Sequence, residues 1–77
     1  MTDEHTILLE LTKEESIVFF EWLSNFNAKE HPALFADKAE EKVLWDLEAS
    51  LEKTIPEILN DKYVDWLSKA RKQVRDA

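Results

Sequence analysis

The chain has no glycine and no cysteine, and only two prolines in 77 residues. Average usage would supply about five glycines. Glycine tolerates positive φ and lets backbone approach a ligand closely. Without it there is no P-loop, no GxGxxG dinucleotide turn and no GxSxG nucleophile elbow. The lack of cysteine removes disulfides and thiolate metal ligands together. Long apolar runs are missing as well: the longest spans Ile17 to Phe20, far short of the ~20 residues of a membrane helix. Positive charge is scarce, with 10 Lys/Arg against 17 Asp/Glu and a net charge of −7.

The deficit is uneven. Residues 1–68 hold six Lys/Arg and sixteen Asp/Glu, whereas residues 69–77 hold four and one. An acidic body repels phosphate, which disfavours nucleic acid and anionic membranes as general partners. The opening Met1-Thr-Asp-Glu-His is acidic and polar, the opposite of a secretory n-region, so a cytoplasmic soluble protein is expected. The length allows one small domain over residues 1–77. Such a domain buries only about 60% of its unfolded surface. Three Trp, four Phe and one Tyr offer dense packing in compensation.

His5 to Leu11 (HTILLEL) reads as a strand, with Ile7, Leu9 and Leu11 on one face. Thr12 and Glu15 form a capping box opening a helix over about residues 13–28. Val18, Trp22, Phe26, Phe19 and Leu23 fill one continuous arc of that helix. Ile17 and Phe20 extend the arc around the far side, leaving Glu14, Glu21 and Asn25 as a narrow polar strip. A helix apolar nearly all round needs cover on more than one side. Residues 29–36 form a loop, with Pro32 blocking helical continuation. Asp37 and Glu40 make a second box, and the helix that follows reaches about residue 54 with Val43, Leu44, Leu47, Leu51 and Ile55 as its apolar arc. Thr54-Ile-Pro-Glu57 reads as a third box, starting one further turn. A last helix runs from Asn60 or Asp61 to about residue 75, its face formed by Tyr63, Trp66, Leu67, Ala70 and Val74. The predicted fold is mainly α: a three-helix bundle preceded by a strand or extended arm. A lone strand leaves backbone groups without partners. The segment therefore either packs over the helices or pairs with its copy, and a homodimer is expected, with Ile7, Leu9, Ile17 and Phe20 as its surface.

No catalytic or metal constellation emerges. His5 and His31 share no ligand spacing with each other or with a carboxylate. Adjacent Glu14/Glu15 and Glu40/Glu41 point about 100° apart on a helix and cannot chelate together. The serines lie in helices without a neighbouring His. No cofactor, metal ion or enzymatic activity is expected. Two surfaces remain. Trp45 stands outside its helix's apolar arc, between the acidic row Glu41, Glu48 and Glu52 and the basic pair Lys42 and Lys53, and Trp is enriched in interface cores. Cover by the chain itself or by its copy would explain it, and so would a different protein. The basic end of the last helix, Lys69, Arg71, Lys72 and Arg75, offers a nucleic-acid contact as the alternative. Complementation of the helix dipole and an Asp65–Lys69 pair account for those charges without one.

The segments Leu11-Thr-Lys-Glu-Glu-Ser-Ile-Val-Phe-Phe-Glu-Trp-Leu and Ala39-Glu-Glu-Lys-Val-Leu-Trp-Asp-Leu-Glu-Ala-Ser-Leu-Glu, with Tyr63 to Asp76, resemble a set of short acidic bacterial proteins of similar length. The resemblance covers most of the chain. It implies a free-standing bacterial cytoplasmic protein, and no activity, cofactor or site residue. The expectation is a non-enzymatic interaction module, a homodimer that presents an acidic helical surface to a protein partner.

Overall fold

The computed structural model describes residues 6–55 and 60–77. Among the described residues three helices follow one another: α1 (Lys13–Asn27), α2 (Lys38–Thr54) and α3 (Tyr63–Asp76). The first two begin where side-chain chemistry satisfies otherwise unpartnered amides. At α1 the box closes on both sides: Glu15 N–H donates to Thr12 Oγ1 (3.0 Å) and Thr12 N–H to Glu15 Oε1 (2.8 Å). At α2 the cap is Asp37, whose Oδ1 accepts from Ala39 N–H (2.7 Å). Glu40 reaches one residue further back than a box would have it, accepting from Ala36 N–H (2.8 Å). The start of α3 departs more from expectation. Asn60 Oδ1 accepts from Lys62 N–H (2.8 Å), and Asn60 O from Tyr63 N–H (3.1 Å). Asn60 thus builds a turn that delays the helix to Tyr63, where no side chain caps it.

A glycine-free chain must end its helices without a left-handed cap, and no described residue has positive φ. Ala28 stays right-handed at the end of α1. The terminal carbonyl of Phe26 accepts instead from Lys29 N–H (3.3 Å) and from the His31 ring, Nε2–H (2.8 Å). Residue Ile55 ends α2 in an extended conformation ahead of Pro56. Thr54 is the last residue of α2, its hydroxyl donating to Ser50 O (2.8 Å). The rest of the third expected box lies outside the described residues.

The central element is α1. It packs against both α2 and α3, and no Cα atoms of α2 and α3 approach within 8 Å among the described residues. Both neighbours lie on the Ile17–Phe20–Leu23 side. Ile17, Phe20, Ile55, Leu67 and Ala70 form the core, with Val18, Leu51 and Tyr63 packed at its margin, and Leu23 is fully enclosed. This corrects the expected dimer surface at two positions: Ile17 and Phe20 are buried by their own chain. It also shifts the inward face of α1 toward Ile17, Phe20 and Leu23: Leu23 of the predicted arc is enclosed, whereas Trp22 of the same arc is 54% exposed. Helix α2 buries no residue, and Val43 and Leu47, expected in its arc, are exposed. The reason is the open arrangement, because α1 alone covers α2 along most of its length.

The predicted strand is not formed. Residues 6–11 carry no regular secondary structure, and Ile7 to Leu11 make no backbone hydrogen bond to a described residue. Among the described residues there is no second strand to pair with one. His5 lies outside the described residues. An arm precedes the helices, then, rather than a strand within them.

Candidate functional site

Glu41, Trp45, Glu48 and Glu52 recur at i, i+4, i+7 and i+11, which places them in one stripe along α2. The structure leaves Trp45 52% exposed. The carboxylates around it are not equivalent. Glu48 is half-buried, and its Oε1 accepts from Asn27 Nδ2 (2.8 Å), which also donates to Leu44 O (3.2 Å). This amide is the polar clamp between α1 and α2, so Glu48 belongs to the fold as much as to the surface. Glu41, also half-buried, borders the loop, whereas Glu52 is fully exposed. None of the three forms an ion pair among the described residues. Among the described residues the only salt bridge of α2 joins Lys42 to Asp46 (2.9 Å). The stripe therefore presents an indole with carboxylates along one side of it and Lys38, Lys42 and Lys53 along the other.

Beside it the 28–37 loop is held by an aromatic stack that the sequence pattern does not reveal. The rings of Trp22 and Phe26 lie 4.9 Å apart and nearly parallel, and His31 stacks on Phe26 at 3.9 Å. Phe35 meets Phe26 edge-on at 6.0 Å. Each such contact adds about 0.5–1.5 kcal/mol beyond area burial. The signal was present in the i, i+4 spacings Trp22/Phe26 and His31/Phe35, but their meeting is a tertiary event. A surface hollow of about 460 Å³ opens there, lined by Glu30, His31, Phe35, Asp37 and Glu41 among others. It contains no Ser, Thr or Cys, and the His31 ring already donates to Phe26 O. No nucleophile–base pair is assembled in it. Among the described residues no three His, Cys, Asp or Glu side chains converge as for a metal ion.

The basic end of α3 is exposed throughout, at Lys69, Arg71, Lys72 and Arg75. Asp76 takes up part of its charge, pairing with Lys72 (2.9 Å) and lying 3.7 Å from Arg75. The expected Asp65–Lys69 pair is not made. Near the other end of α3, Tyr63 OH donates to Glu21 Oε1 (3.0 Å), and Asn25 Nδ2 donates to Glu21 Oε2 (3.2 Å). Burial, then the Glu21 hydrogen bond and charge, push the Tyr63 phenol up to about 12. This is a structural pair fixing α3 on α1.

Ile7 and Leu9, the remaining residues of the expected dimer surface, are 84% and 83% exposed. No described helix is long and apolar enough to cross a membrane. No protein-family model, curated protein or solved structure matches the chain.

Proposed function

We propose that this chain is a non-enzymatic interaction module of the bacterial cytoplasm, a homodimer that presents the Trp45 stripe of α2 to a basic protein partner. The observation that carries the reading is the half-exposed Trp45 indole, flanked along one helix by Glu41, Glu48 and Glu52, none of which forms an ion pair among the described residues. An indole in water forgoes the burial that makes Trp a frequent hot spot, and unpaired carboxylates steer a cationic surface toward it. Partial neutralisation of the α3 end by Asp76 leaves the nucleic-acid alternative with less charge to use.

A photo-crosslinking residue at position 45, and a control at position 71, test this in native extract. One basic protein joined at 45 and not at 71, and lost when Glu41 and Glu52 become Lys with helicity unchanged, fits the proposal. Crosslinks that survive the charge reversal, or arise equally at both positions, would overturn it.

A further inference from the structure

We infer that the arm over Ile7 to Leu11 is the dimerisation element, pairing antiparallel with the same arm of a second copy. The inference rests on the homodimer reading above and is independent of the Trp45 stripe. Three observations converge on it. The first is area. A compact monomer of 9.1 kDa exposes about 4,900 Å², whereas this chain exposes 6579 Å². Its Cα radius of gyration is 14.2 Å, against about 11.5 Å for a compact domain of this length. The surplus of roughly 1,700 Å² exceeds the ~800 Å² per partner of a standard interface.

The second is the composition of the arm. Ile7, Leu8 and Leu9 are 84%, 88% and 83% exposed, and Leu11 is exposed too. Ile7 to Leu11 have backbone donors and acceptors that no described residue satisfies, the template that another strand completes. Alternation would place Ile7, Leu9 and Leu11 of each copy on one face of the ribbon. A two-stranded ribbon is marginal alone, so that face must lie on helices, and α1 and α2 leave Trp22, Val43 and Leu47 exposed.

The third is charge, which selects a second copy as the occupant. Two chains of net charge −7 repel, most strongly where carboxylates cluster, as along α2. Ile7 to Leu11 contribute only Glu10. A twofold contact matches a patch with itself, so it forms where that patch is least charged.

Sedimentation velocity of the full chain from about 1 to 100 μM tests this, with an Ile7→Glu, Leu9→Glu double variant and a Trp45→Ala control. The wild type should sediment at twice the 9.1 kDa chain mass. Loss of two aliphatic contacts should weaken the dimer at least about 100-fold, with helicity unchanged and Trp45→Ala still dimeric. A wild-type monomer throughout would overturn both the arm and the homodimer reading. A double variant that remains dimeric would overturn the arm alone, placing the contact elsewhere. Loss of helicity in the double variant would also refute the arm's role, showing that it packs on its own helices.

Discussion

The orientation of α1 is the feature from which the exposed surfaces follow, and paired truncations test it. Phe20 is 7% exposed within the core, whereas Trp22, two residues on, is 54% exposed. Truncating a buried Phe or Trp to Ala costs about 3–5 kcal/mol, cavity included. Phe20→Ala should therefore cost the full 3–5 kcal/mol. Trp22 keeps about half of that burial, mainly against Phe26, so Trp22→Ala should cost about 2 kcal/mol. A domain of 77 residues holds roughly 4–12 kcal/mol in total. Phe20→Ala can thus abolish folding at room temperature, and Phe20→Leu, at about 1 kcal/mol, keeps the position measurable. Urea unfolding followed by far-ultraviolet circular dichroism gives each value. Repeating it at tenfold dilution isolates monomer stability from association. Trp is the larger residue, so a helix turned the other way would reverse the order. Trp22→Ala costing as much as Phe20→Ala would refute the orientation.

Two further perturbations probe what holds the helices together. Asn27→Ala removes both hydrogen bonds of the α1–α2 clamp. It should lower stability by about 1–3 kcal/mol, since Glu48 and the Leu44 carbonyl lose a half-buried partner; an unchanged urea midpoint would show that water replaces it freely. The Tyr63 phenol is raised from 10.0 to about 12 by burial and by Glu21. The neutral phenol is thus the form the fold favours, and its contribution is complete below pH 10 and lost as pH rises toward 12. Stability should fall across that window, and the fall should be shallower in Tyr63→Phe. Identical alkaline profiles for the two proteins would show that Tyr63 does not set the transition.

Much of the local structure was legible in the residues. Thr12 and Glu15 close the box that the sequence spells, and Asp37 caps α2, because capping joins groups two or three residues apart. Pro56 and Asn60 announced the break between α2 and α3. The reading failed where distance entered. Glu40 caps Ala36 rather than Asp37, and Asn60 spends its side chain on a turn, since several nearby amides compete for one oxygen. The strand is not formed within one chain for a simpler reason: no other described residue offers it a ladder. At the candidate site, the stripe of Glu41, Trp45, Glu48 and Glu52 was visible as a spacing, but the commitment of Glu48 to Asn27 was not.

The sequence by itself determined the helical segments and the caps of α1 and α2, an acidic body with a basic end, and the absence of a glycine-built phosphate or nucleophile loop. Those properties depend on residue type and on neighbours within a turn. Tertiary structure alone decided which side of the greasy α1 faces inward, hiding Ile17 and Phe20 and leaving Trp22 in water. Helical periodicity fixes angles about a helix's own axis and carries no information on where its neighbours lie. On a helix apolar nearly all round, the burial of one face over another is settled by how α2 and α3 dock, and here both dock on the same side.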